Sequence, residues 1–76
     1  MAGIIANTGG AKKITAIDDS GAGVTYIGFA KLGSATSAAV WQILKIEEGA
    51  VTYIKYADGD SRFNNVWDNR AGLSYS

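Results

Sequence analysis

Val40-Trp41-Gln42-Ile43-Leu44-Lys45-Ile46-Glu47-Glu48-Gly49-Ala50-Val51-Thr52-Tyr53-Ile54-Lys55-Tyr56 is the stretch that decides the fold. Two β-prone runs flank a Glu-Gly pair, which is the signature of a hairpin. With Glu48 and Gly49 as the central turn residues, Ile46 faces Val51, Leu44 faces Tyr53, Ile43 faces Ile54 and Trp41 faces Tyr56. One face then carries Trp41, Ile43, Ile54 and Tyr56, and the other carries Leu44, Ile46, Val51 and Tyr53. A half-buried sheet alternates apolar and polar sides, whereas this hairpin is apolar on both. A longer loop would mix the two sets without making either face polar.

Two arrangements satisfy a two-faced hairpin. Its own chain can sandwich it, or a second chain can cover the face left over. With 76 residues there is little chain from which to build two layers, which favours the second. Burying one such face contributes on the order of 5–10 kcal/mol gross at about 25 cal/mol per Å². That rivals the whole stability of a small domain. Self-association is therefore expected to support the fold.

Working outward, ten Gly and no Pro punctuate short β-prone runs at intervals, the rhythm of a small all-β domain. Strands are expected at Ile4–Asn7, Lys12–Ile17, Gly23–Lys31, Val40–Glu47 and Ala50–Ala57, with a sixth near Leu73–Tyr75. Asn7-Thr8-Gly9-Gly10 and Asp18 to Gly23 carry turn chemistry, and Leu32 to Ser37 reads as a loop. Thr36 or Ser37 is placed to cap a single helical turn through Ala38-Ala39. A helix over Ser34–Ile46 is the competing reading, which β-branched and aromatic enrichment disfavours. The expected architecture is one domain over residues 1–76, a small antiparallel sheet, sandwich or barrel around the central hairpin. An extended arm, residues 58–76, completes it.

That arm places Phe63, Trp67 and Tyr75 among Asp, Asn and Gly with no helical or strand period. Such costly apolar groups must be pinned onto a body or a partner. Arg62 and Arg70 flank Trp67, suited to stacking on rings or to pairing with Asp60 and Asp68 across a subunit boundary.

Composition excludes much else. Seven acidic and seven basic residues cancel, and only Lys12-Lys13 form a basic pair, so nucleic acid is not an expected partner. No apolar run approaches the roughly 20 residues of a membrane span, and Met1 to Ile5 lacks the features of a signal peptide. With no Cys and no His, disulfides and a Cys/His zinc site are excluded. Asp58-Gly59-Asp60 with Asn64, Asn65 and Asp68 invites a calcium reading. Arg62 occupies a ligand position and no Glu closes the loop, so a β-turn is the better account, and whether Asp58 and Asp60 hold a cation stays open. The acidic pairs Asp18-Asp19 and Glu47-Glu48 both sit at turns, and Gly21-Ala22-Gly23 is no phosphate loop. No enzyme and no cofactor are expected. Trp41, Trp67, Tyr53, Tyr56 and Phe63 could stack on sugars, but in so small a domain they serve more economically as core or interface.

Several strings carry a family resemblance: Tyr26-Ile27-Gly28-Phe29-Ala30, Ser34-Ala35-Thr36-Ser37-Ala38-Ala39-Val40-Trp41-Gln42-Ile43, Tyr56-Ala57-Asp58-Gly59-Asp60, and Phe63-Asn64-Asn65-Val66-Trp67-Asp68-Asn69-Arg70-Ala71 through Leu73-Ser74-Tyr75. Together they resemble small proteins encoded by tailed bacteriophages and connected with virion structure. The Trp-Asp-Asn-Arg ending is the most distinctive part. The resemblance implies a structural role and assigns no catalytic residue. It points to a capsid decoration or cement protein, assembled in the host cytoplasm into the virion. Such a protein would self-associate as a trimer and contact major capsid or other virion proteins. A tail, collar or fibre-associated protein is the alternative within the same class, and a surface glycan-binding module the alternative outside it. The residues expected at the interface are Trp41, Ile43, Ile54, Tyr56, Phe63, Trp67 and Arg70.

Overall fold

A computed structural model describes residues 12–76. The strand at Ile4–Asn7 and the turn at Asn7–Gly10 lie outside the described residues. The described residues are all-β and form a single open antiparallel sheet rather than a sandwich or a closed barrel. Strands β1 (Lys13–Gly21), β2 (Val24–Lys31), β3 (Ala39–Glu47) and β4 (Tyr53–Tyr56) form a meander in sequence order. A two-residue strand, β5 (Asn65–Val66), pairs with the start of β3 and leads into a 3-10 helix, Trp67–Gly72. The helix expected as a competitor over Ser34–Ile46 does not form. Instead a turn closes at Ala38, whose N–H donates to the Ala35 carbonyl at 3.1 Å, before β3 begins.

Turn chemistry sets the first reversal. Asp18 Oδ1 accepts from both the N–H and the hydroxyl of Ser20, at 3.1 and 2.6 Å, and bulges the end of β1. Gly23 at φ 72° then turns the chain into β2. The pairing Lys13↔Lys31 through Asp18↔Tyr26 follows from that centre.

The hairpin register differs from the expected one. Leu44 pairs with Tyr56, Ile46 with Ile54 and Glu47 with Tyr53. Glu48 does not turn, because its N–H is held by the Gly23 carbonyl at 2.8 Å on the β2 side. The reversal is therefore delayed into a five-residue loop between Glu47 and Tyr53, and the faces are reshuffled as an odd shift requires. Trp41 and Ile43 now share a face with Lys45 and Glu47, while Val40, Gln42, Leu44 and Ile46 join Ile54 and Tyr56 on the other.

The far edge of β3 is shared. β4 occupies its second half, the Ala57 N–H reaches the Ile43 carbonyl at 2.9 Å, and β5 pairs with Ala39 and Trp41. The last residues return along Tyr56–Asp58. Tyr56 and Ser76 exchange N–H···O bonds of 3.0 and 3.1 Å, the Asp58 N–H donates to the Ser74 carbonyl at 2.8 Å, and Ala57 bridges Tyr75. The sixth strand expected near Leu73–Tyr75 is thus an isolated bridge.

This route lays the arm across one side of the sheet. Ala30, Trp41, Ile43, Ala57 and Trp67 form the buried cluster, with Ile14, Ala16, Tyr26, Leu73 and Tyr75 packed around it. Trp41 and Trp67 meet with ring centroids 5.7 Å apart, and the Trp41 indole N–H donates to the Ala35 carbonyl at 3.0 Å. Tyr26 and Tyr75 stack at 5.8 Å, with the Lys45 ammonium 5.6 Å from the Tyr75 ring centre. We call this the covered face.

Candidate docking surface

The opposite side of the sheet is the surface to explain. Strand pairing places Ile17 from β1, Ile27 and Phe29 from β2, Leu44 and Ile46 from β3, and Ile54 with Tyr56 from β4 on it. Ile17 is 65% exposed and Ile54 61% exposed, at the two outer strands, and Ile27, Phe29, Leu44 and Ile46 between them are half-buried. Scattered apolar residues on a surface need no explanation, but a contiguous aliphatic face spanning four strands marks a contact.

One end of that face has a partial lid. The Gln42 side-chain amide donates to the Ser61 carbonyl at 2.9 Å, which holds the Asp58–Asn64 segment over the start of β3. That segment is built by a tight turn. Asp58 at φ 59° and Gly59 at φ 69° reverse the chain, and Asp60 Oδ1 accepts from the Arg62 N–H at 2.9 Å. The Asp60 carboxylate therefore serves backbone geometry, as the β-turn reading expects. Among the described residues no cluster of three potential metal ligands is found.

Phe63, next to last in the segment, is 45% exposed, with the Lys13 ammonium 5.7 Å from its ring centre. Around it Lys12, Lys13, Lys31, Ser34 and Val40 line a recess of about 480 Å³. Nothing in the sequence order announces this convergence. The sequence shows Lys12-Lys13 as a pair, and only the β1–β2 register brings Lys31 opposite Lys13.

The seven residues expected at an interface divide cleanly. Trp41, Ile43 and Trp67 pack inside the chain, so the expectation that they meet a partner is corrected: the arm folds back over the face that carries Trp41 and Ile43, and Trp67 fills the space above Gly28. Arg70 is half-buried and also internal. Its Nε donates to Asp18 Oδ2 at 2.9 Å, its Nη1 donates to the Trp67 carbonyl at 3.1 Å, and its guanidinium lies 4.5 Å from the Trp67 ring centre. The expected pairing with Asp60 or Asp68 across a boundary is replaced for Arg70 by this intrachain lock. Arg62 does reach Asp60, at 4.0 Å and within the same chain. Ile54, Tyr56 and Phe63 remain on the surface.

The charged groups on the covered face are committed to structure. Two hydrogen bonds from Ser20, then the Arg70 guanidinium, hold the Asp18 carboxyl down at about 2. Lys55 and Lys45, at 2.9 and 3.1 Å, hold Glu47 below the usual carboxylate range. Burial, with Tyr26 beside it, pushes the Tyr75 hydroxyl up to about 12. None of these groups lines a shielded cleft with a nucleophile, which acid–base chemistry would require. A sugar platform also loses its best members, since both tryptophans are buried. Tyr53 and Tyr56, three residues apart on β4, sit on opposite faces.

Compared with family models, with curated proteins and with solved structures, the chain matches none.

Proposed function

We propose that this chain is a structural protein of a bacteriophage particle, a capsid decoration or cement module that self-associates and stabilises the head lattice. One observation carries the reading: among the described residues the sheet is covered on one side only, and its other side is an apolar surface running from Ile17 to Ile54. Fully burying an Ile side chain is worth about 1.5–3 kcal/mol. Covering several at once therefore supplies the association energy that a small domain lacks on its own. A module that binds the assembled lattice and not its free subunits stabilises that lattice by mass action.

The virion assignment rests on the residue resemblance, above all Trp67-Asp68-Asn69-Arg70 and the strings that precede it. The fold gives these residues a shared task. Trp67 and Arg70 fasten the arm to the sheet, so the motif maintains the covered face and leaves the other free for neighbours.

The test is imaging. Antibody-gold labelling of intact particles should decorate mature heads in a regular array. Label confined to tail or collar would move the protein to the tail-associated alternative, and particles with no label at all would sink the structural reading.

A further inference from the structure

The zero net charge hides a separation of charge along the strands. All seven basic side chains lie among the described residues, and four are paired: Lys45 and Lys55 with Glu47, Arg62 with Asp60, Arg70 with Asp18. The other three are Lys12, Lys13 and Lys31, which have no carboxylate partner among the described residues. All three line the recess around Phe63 and Val40. Four exposed carboxylates are in no ion pair: Asp19 and Glu48 stand at the other end of the same strands, and Asp58 and Asp68 lie on the arm. The antiparallel register fixes this polarity. Lys13 pairs with Lys31 at one end, while at the other Val24 pairs with Glu47 and the Glu48 N–H bonds Gly23. Roughly 25 Å separates the two ends, at about 3.3 Å per strand residue.

Each end also carries apolar surface suited to the other. The basic recess has an apolar floor and wall in Val40 and Phe63. The acidic end projects the β3–β4 loop, where Val51, 59% exposed, follows three residues after Glu48. An exposed aliphatic side chain beside a carboxylate fits a recess that is apolar within and ringed by ammonium groups.

We propose that copies of this chain associate head to tail, the Glu48–Val51 loop and Asp19 of one copy docking on the Lys12/Lys13/Lys31 recess of the next. This deepens the self-association reading, on which it rests, by naming the contact and its polarity. Such an interface is heterologous, so copies add in one direction and close into a ring if the rotation permits. Lys and Asp or Glu facing each other across it set orientation and encounter rate as well as affinity.

Charge exchange tests this directly. Lys13→Glu with Lys31→Glu makes both ends acidic, and Asp19→Lys with Glu48→Lys makes both ends basic. Every changed side chain is exposed, and the thermal unfolding of each variant monitored by circular dichroism reports that it still folds. In sedimentation velocity, each variant alone should lose assembly by tenfold or more, and an equimolar mixture should regain it. A chain carrying all four changes should assemble like the wild type. Wild-type assembly should weaken about tenfold as added salt shortens the Debye length from about 10 Å toward 3 Å.

The failures are distinguishable. If the wild type assembles but the variants assemble equally well, or their mixture stays dissociated, the head-to-tail contact is overturned and the broader reading stands. A wild type that remains monomeric at low salt and roughly 100 µM overturns both, since so weak a contact corresponds to less than about 5.5 kcal/mol.

Discussion

Gly28 lies directly under the indole of Trp67: a Cβ built on it would stand 2.5 Å from Trp67 Cε3 and 3.0 Å from Trp41 Cε3. The missing side chain of β2 is the hole into which the arm is set. Gly28 pairs with Ile43, and with no side chain of its own it leaves room for Trp67, so the arm docks where the sheet surface is lowest.

Gly28→Ala should therefore destabilise by about 2–3 kcal/mol, the cost of overpacking a filled core. The lowered midpoint of urea unfolding measures it. Trp67→Leu in the same chain should recover part of the loss, since the smaller side chain leaves room for the added methyl. Equal losses with and without Trp67→Leu would show that the indole is not what the glycine accommodates.

The Asp18–Arg70 lock gives an acid-side prediction. Asp18 is held at about 2 against an ordinary 3.8, first by Ser20 and then by Arg70. A depressed carboxyl contributes stability that is present above the unfolded value and lost as pH falls through the folded one, here between about 4 and 2. Glu47, lowered by Lys55 and Lys45, adds to the same trend. The melting temperature should drop across that window, and less steeply in Asp18→Asn. A carboxyl carbon resonance of Asp18 titrating near 4 would refute the assignment.

How much of this was legible in the sequence depended on how local its cause was. The strands β1 to β4 follow from β-branched and aromatic runs between glycine turns, and their limits fall within four residues of those expected. The hairpin register does not follow, because it is decided by the bond from Glu48 to Gly23, a contact across a neighbouring strand. Trp67 was legible as a residue that must be buried, but not as one buried by its own chain. That depends on Gly28, distant in sequence, offering it space. The basic recess needed the pairing of Lys13 with Lys31, which becomes readable only once the turn is centred on Ala22.

Tyr75 makes an alkaline prediction with the opposite sign. Burial raises its hydroxyl to about 12 from an ordinary 10.0, and that hydroxyl donates to the Arg70 carbonyl at 2.8 Å. A raised folded value contributes stability that is full below the unfolded value and lost as pH climbs between about 10 and 12. Ultraviolet titration of phenolate should show a late step near 12 that is missing in Tyr75→Phe. The substitution should also cost about 1 kcal/mol through the lost hydrogen bond.

Ile54→Glu and Ile17→Glu separate folding from association. Both side chains are mostly exposed at the outer strands of the open face, so each change should alter the unfolding free energy of the single chain by no more than about 0.5 kcal/mol. A carboxylate placed within an apolar contact must be desolvated without a partner, which disfavours any assembly that buries it. Sedimentation should then find the variants smaller than the wild type at equal concentration. Val51→Glu, placed on the acidic end rather than on the open face, distinguishes the two surfaces: loss of assembly with Val51→Glu but not Ile54→Glu would assign the contact to the strand ends alone. Loss with Ile54→Glu shows that the aliphatic face is itself buried between copies, and undiminished assembly in all three variants would remove both surfaces from the account.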